Sequence, residues 1–289
     1  MQDLYFTCGR PAPCKAETFL RHDCGVSHRT LASLKHVPDG ITRRGVLLRT
    51  VDTVYPGDIV RLRIVDAPAI APNPALHAEA VFEDDDVVLF DKPAAMPVHP
   101  SFRHRDDTLG NVFAAGWPTL TFRPVHRLDR NTSGLTAVAK HPLAAMHLPG
   151  QLEKTYIAIA GGHLHGRGVI EAPIGRRDGS MIEHCVRPDG KRAVTHYRVL
   201  AQTADASVLA VTLETGRTHQ IRVHMAYIGH PLLGDTLYGG DASAIERHAL
   251  HCALMRYTDT AGTVHRVTAP FPADLCQILP LDFSVEDVL

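Results

Sequence analysis

No apolar run in this 289-residue chain approaches 18 residues, which excludes an ordinary membrane-spanning helix. The start, Met1-Gln2-Asp3-Leu4, has no basic segment followed by an apolar run and so carries no mark of a secretory signal. A cytoplasmic protein with no membrane partner is expected. Six cysteines, at 8, 14, 24, 185, 252 and 276, do not make a disulfide framework in a chain this long. Cys8, Cys14 and Cys24 with His22 lack the paired C-x₂₋₄-C knuckle of a structural zinc site. The 19 histidines are scattered and contain no H-E-x-x-H, so no metal is expected either. Internal repeats are absent. Net charge is nearly absent too: 30 Lys plus Arg against 31 Asp plus Glu leave −1. That total neither supports nor refutes a nucleic-acid partner, because phosphates need local positive charge and 30 basic residues suffice for one basic face.

What is present is ordinary for a globular protein: 45% hydrophobic and 21% charged residues, enough for one large domain or a medium and a small one. Residues 1–15, with Gly9, Pro11 and Pro13, read as an irregular leader. Phe19, Leu20, Val26, Leu31 and Leu34 are spaced for two short helices split by Gly25, with Ser27 placed to cap the second. Strand-like runs follow at 45–48 and 59–64, joined through the turn signal Tyr55-Pro56-Gly57-Asp58. Three prolines within 67–75 predict a semi-rigid linker. The expected division is a leader (1–15), a small domain (16–66), a linker (67–78) and a large domain (79–289). In the large domain, apolar alternation predicts strands at 86–93, 134–140, 154–160, 169–173, 192–200 and 207–214. Helices are predicted at 108–117, 141–151 and 218–228, the last with Ile221, Met225 and Ile228 on one face and Arg222 off it. Many strands with few intervening helices argue for an α+β protein with a mixed, mostly antiparallel sheet flanked by helices.

The centre of the chain carries Pro124-Val-His-Arg-Leu-Asp-Arg-Asn-Thr-Ser-Gly-Leu135 on a turn-rich segment. Asp129 lies between Arg127 and Arg130, and such neighbours favour an ionised carboxylate, a ready nucleophile or base. By itself an Asp-Arg pair is more often a surface ion pair. His-Arg-Leu-Asp-x-x-Thr-Ser-Gly, however, fixes seven positions, and at roughly 5% per residue chance recurrence is about one in 10⁹ starts.

The string resembles the signature of the RluA-type RNA pseudouridine synthases, in which this aspartate is catalytic. Asp91-Lys-Pro-Ala-Ala-Met-Pro-Val-His-Pro100, Lys154-Thr-Tyr156, Thr215-Gly-Arg-Thr-His-Gln-Ile-Arg-Val-His224 and His230-Pro-Leu-Leu-Gly-Asp235 match in the same order. Position 95 is alanine where the family usually has glycine. The resemblance implies a catalytic set of Asp129, Tyr156 and Arg222, with Tyr156 against the uracil and Arg222 paired with the aspartate. It also implies substrate contacts from Arg127, His126, Arg130, Thr132 and Ile221, a flipped uridine, and no cofactor. Residues 16–66 resemble the alpha-L type RNA-binding module, which would place Arg21, Arg29, Lys35, Arg43 and Arg44 on an RNA-facing surface. The usual Asn-Gly of that module reads Arg44-Gly45 here. The implied partner is structured RNA, ribosomal or transfer, and the implied state a monomer. The alternative reading is a non-catalytic RNA binder or ribosome-associated factor; a glycosidase would need a second carboxylate across the bond.

Overall fold

Side-chain alternation builds the centre of the molecule. In strand Leu152–Gly161, Tyr156, Ala158 and Ala160 join the main core, while Ile157 and Ile159 join smaller clusters on the opposite face. Both faces are therefore covered, and the strand reads as nearly continuous apolar sequence. The computed structural model describes residues 2–65 and 70–279. Around this strand forms a nine-stranded sheet in the order Arg167–Glu171, Val194–Gln202, Ala206–Leu213, Leu152–Gly161, Leu250–Thr258, Ser133–Ala139, Val87–Lys92, Glu79–Glu83; Val264–Thr268 also pairs with Leu250–Thr258. Every pairing is antiparallel except one, Leu250–Thr258 with Ser133–Ala139. The chain is thus α+β with a mixed, mostly antiparallel sheet.

Glycine makes the parallel join possible. Gly134, at φ +104°, lies opposite Cys252, and a Cβ there would stand 2.4 Å from the Cys252 carbonyl oxygen. This explains the last residue of Thr132-Ser133-Gly134. Helix Leu109–Gly116 starts with a capping box between Thr108 and Asn111, and Pro142–His147 has proline in its first turn and His141 accepting from the Ala144 N–H.

The first 65 residues have a core of their own, including Leu4, Phe19, Leu20, Leu31, Leu34, Val60 and Leu62. The irregular leader is corrected here: Gln2–Thr7 is a strand paired along its length with Ile59–Ile64, in the sheet order Gln2–Thr7, Ile59–Ile64, Ile41–Arg43, Val46–Leu47. Leu4 and Phe6 supply the alternation, and turn residues further on masked it. Ser27 caps His28–Leu34 by accepting from the Thr30 N–H at 3.0 Å. Arg44 and Gly45 both have positive φ, +52° and +80°, as a two-residue hairpin turn demands. Met146, from the helix of the large unit, packs on this core.

Of the predicted linker, 66–69 lie outside the described residues. The remainder is not a free spacer. Asn111 donates to the Ala71 carbonyl at 2.8 Å, Asn73 donates to the Asp106 carbonyl at 2.7 Å, and Ala78 is in the main core. Proline content suggested stiffness; buried Asn111 supplies the fastening.

Candidate active site

Asp129 is presented on a turn closed by the Thr132 N–H to the Asp129 carbonyl at 3.1 Å. Leu128 anchors it in the core, and Val125 and Ala139 tie the incoming chain to the strand by backbone bonds to Ala137 and Arg123. Beneath the turn, Thr132 Oγ1 pairs with His248 Nε2 at 2.8 Å and Ser133 Oγ with His251 Nδ1 at 2.9 Å. Arg247 donates to the Asn131 carbonyl at 3.2 Å. The carboxylate thus has a fixed platform.

Fully buried Lys92 supplies another tie, donating to the carbonyls of Pro93 (2.7 Å), Met96 (2.8 Å) and Arg130 (3.2 Å). Burial, with Arg247 nearby, pulls its pKa down to about 7, whereas three carbonyl acceptors favour the ammonium. Arg130 in turn donates Nε to the Ala95 carbonyl at 3.1 Å. Ala95 itself has φ +64°, which explains why glycine suits this position in the family pattern. The alanine leaves the site's groups in place at the cost of local strain.

Arg222 departs from its expected position. Helical spacing put it off the apolar face, yet it is 6% exposed, within a turn of helix Gln220–Tyr227 whose residues through Met225 are all buried. Its charge is met from two sides. Nε and Nη2 each reach Asp235 at 2.8 Å, and Nη1 reaches Asp129 Oδ2 at 3.2 Å. The guanidinium also lies over the Tyr238 ring, 5.0 Å from its centroid. Asp235 is a buried second carboxylate, but both its oxygens are occupied by Arg222, so it cannot serve as a glycosidase partner to Asp129.

His219, at φ +56° before that helix, stands on the other side of Asp129, its Nε2 3.9 Å from Oδ2. Tyr238 Oη accepts the His184 N–H at 3.1 Å and is 2.8 Å from His219 Nδ1. The hydroxyl proton therefore points to Nδ1, and the ring proton sits on Nε2, towards Asp129. Burial lowers the His219 pKa, against the pull of Asp129, and keeps the ring neutral. Asp235 and His219 lie inside strings quoted above and Tyr238 stands three residues past Asp235; the sequence carried them without assigning roles.

Tyr156 is buried opposite Cys252, with its pKa raised well above 10, first by burial and then by Cys252 and Asp129. The phenol stays protonated. His126 accepts the Ala137 N–H at Nε2 (3.3 Å), and burial holds its pKa well below 6.5. The structure brings all eight expected residues, Asp129, Tyr156, Arg222, Arg127, His126, Arg130, Thr132 and Ile221, to one cleft of about 650 Å³. Arg127 and Arg130 are its exposed members, whereas the Thr132 hydroxyl is engaged by His248 and Ile221 is part of the main core.

The expected RNA-facing residues of the first unit lie outside this cleft. Lys35 and Arg44 are exposed, and Arg21 sits 3.7 Å from Glu17. Arg43 is partly buried, and its Nη1 donates to Asp58 Oδ2 and the Thr53 carbonyl, each at 2.9 Å, so its charge also braces the Tyr55–Asp58 turn. The Arg29 side chain lies outside the described residues.

Among the described residues, the one set of three metal-ligating side chains close together is Asp84, Asp259 and His265, with ligand atoms within 4.8 Å. His265 Nε2 already bonds Asp259 at 2.9 Å and Tyr257 donates to Asp84. Cys8, Cys14, Cys24 and His22 form no such set. No helix among the described residues is long and apolar enough to cross a membrane.

Comparison with known proteins places this geometry in context. The profile of a family described as RNA pseudouridylate synthase matches residues 86–227. An uncharacterized RNA pseudouridine synthase of Bacillus subtilis, YhcT, is 40% identical over 80% of this chain and 81% of its own length. The ribosomal large subunit pseudouridine synthase D of Escherichia coli is 36% identical, over 70% of this chain and 69% of its own. Among solved structures, human RNA pseudouridylate synthase domain containing 1 superposes with a TM-score of 0.61 at 26% identity, covering 75% of this chain and 95% of that one.

Proposed function

The chain belongs to the RNA pseudouridine synthase family of isomerases, and we propose that it converts specific uridines of structured RNA, ribosomal RNA foremost, to pseudouridine through Asp129. The observation that carries the reading is the Asp129 carboxylate, braced by Arg222 in a cleft walled by buried Tyr156. Isomerisation breaks the bond from uracil N1 to ribose carbon 1′, turns the base, and rejoins it through carbon 5. It is redox-neutral and hydrolyses nothing, so it calls for no cofactor. Asp129 acts on the sugar, by attack or as a base. Tyr156 stacks on the uracil, and its phenol is placed to handle the carbon-5 proton. Arg222 holds the carboxylate aimed.

The target atoms are hidden in a stacked helix, so the uridine is flipped into the cleft. Arg127 and Arg130 at the rim suit the vacated space and the flanking phosphates. Ribosomal RNA is the first candidate because several relatives carry the name of a ribosomal large subunit enzyme. Residues of the first unit, Arg21, Lys35 and Arg44, would grip phosphates outside the cleft. A non-catalytic RNA binder has no use for Asp129, Tyr156 and Arg222 converging in one cleft. Pseudouridine mapping of total RNA tests the reading: a deletion strain should lose one or more sites, wild type should restore them, and Asp129→Asn should not. Restoration by Asp129→Asn would remove Asp129 from the chemistry.

A further inference from the structure

Most cations around the cleft have partners. Arg222 is held by Asp129 and Asp235, Arg130 donates to the Ala95 carbonyl, and Arg217 donates to the Arg192 carbonyl. Arg127 is exposed at the rim. Lys154 differs. It lies two residues before Tyr156 on strand Leu152–Gly161, and both line the cleft. Regular pairing of Thr155 with Thr212 and Tyr156 with Val211 preserves alternation, so the two side chains share a face.

Lys154 is half-buried, and among the described residues its ammonium has neither a carboxylate nor a hydrogen-bond acceptor as partner. Burial lowers its pKa, opposed only by the Cys252 thiol, which is itself held protonated. His126 also lines the cleft; it accepts at Nε2, so Nδ1 carries the proton, and that nitrogen is buried out of contact with solvent. A half-buried ammonium with no acceptor on the protein is free to meet an oxygen that arrives in the cleft, and closure of the site around that contact strengthens it.

We propose that Lys154 binds an exocyclic oxygen of the flipped uracil and stabilises the uracil anion released from ribose carbon 1′. The assignment rests on the functional reading above. When the bond from carbon 1′ to N1 breaks, its electron pair stays with the base, and the negative charge spreads over N1 and the carbonyl oxygens. This holds whether Asp129 attacks the sugar or removes a proton from it. Carbon 5 then bonds to carbon 1′, the carbon-5 proton leaves, and N1 regains one. Lys154 donates hydrogen bonds throughout and neither gains nor loses a proton. Its place on the strand beside Tyr156 sets an oxygen of the stacked base against the ammonium.

Two measurements on the full-length protein test this. In the first, calorimetry compares uracil with 5-nitrouracil, an anion at neutral pH. Wild type should prefer the anion, Lys154→Met should lose at least about 10-fold in affinity for it while binding uracil as before, and Lys154→Arg should restore the preference. In the second, turnover and affinity are followed on unmodified large-subunit ribosomal RNA transcript. Lys154→Met should lower kcat at least about 100-fold, the scale of one lost donor to a developing anion, with Kd and its salt slope unchanged. No anion preference in wild type, or equal loss for both bases, overturns the proposal. So does a weaker Kd with the salt slope reduced by about one and kcat intact, which would make Lys154 a phosphate contact. Because the calorimetric arm needs no turnover, a Lys154-dependent anion preference without pseudouridine formation would sink the functional reading and leave Lys154 as a binding site for an anionic base.

Discussion

In the proposed reaction Arg222 braces Asp129, and it is also half of a buried ion pair with Asp235, so the two roles have separable consequences. Arg222→Ala should cost turnover about 2–5 kcal/mol, typical of truncating one member of a buried charge pair. It should also lower stability by about 3–5 kcal/mol, because Asp235, only 1% exposed at its side chain, is left as a buried unpaired carboxylate. Replacing both, Arg222→Met with Asp235→Leu, should recover most of the stability in urea unfolding and none of the turnover. If the double variant regains activity, Arg222 acts only through the fold. Ala95 gives a smaller and opposite case. Its left-handed backbone is strained, so Ala95→Gly should stabilise by about 0.5–1 kcal/mol in the same assay, with kcat unchanged since no side-chain contact to the cleft is lost.

Among the elements, the parallel join between Ser133–Ala139 and Leu250–Thr258 matters most to the site, since it brings the Asp129 turn beside Tyr156 and the His248-Ala249-Leu250-His251 segment. Gly134→Ala would set a Cβ against the Cys252 backbone at a φ that side chains rarely adopt. A loss of about 3 kcal/mol or more is expected, with RNA turnover falling as the two strands part. A variant that unfolds at the wild-type urea midpoint would show that the join tolerates a side chain. The hairpin turn at Arg44-Gly45 is a second strained element. Asparagine tolerates that backbone better than arginine does, and the exposed arginine there fits a residue retained for its charge.

On the scale of the whole molecule, acid should be a sensitive probe. Burial pushes His248 down to about 2 and His251 down to about 3, so both are neutral in the folded protein. Groups with depressed folded pKa values leave stability intact above their unfolded pKa, near 6.5, and remove it as pH falls towards the folded value. Unfolding then takes up a proton at each, and stability should drop by up to about 3 kcal/mol per pH unit between about pH 5.5 and 3. Unfolding free energies measured from pH 7 to 4 would reveal this, and a flat profile would mean the two rings are charged in the folded state. Removing residues 1–65 tests the role of the first unit. Filter-binding with ribosomal RNA transcript should show weaker affinity and a log–log salt slope reduced by about 2–3, from the loss of Arg21, Lys35 and Arg44. Equal affinity and slope would make the unit a structural cap, and Met146, which packs on its core, would be the residue most exposed by the cut.

Period-two alternation and turn residues specified six strands of the central sheet before any coordinates, though not Leu250–Thr258, because burial on a pleated sheet depends on which side chains face inward, a local property of the chain. The mostly antiparallel sheet was legible for that reason, and the helix after Ser27 through its cap; the cleft string around Asp129 was legible only through its resemblance to a family signature. The resemblance paired Arg222 with Asp129, and 93 residues of chain do fold back to set them together, but Asp235 behind the guanidinium had been given no role. Arg43 read as an RNA contact, and its bond to Asp58, fifteen residues on, shows only in the fold. No local pattern held these further meetings of charge. Lys154 read as part of a strand, and its lack of a partner appears only when every neighbour is in place. Alternation is written in sequence; the electrostatic surroundings of a side chain are contributed by segments distant along the chain, and only the tertiary fold brings them together.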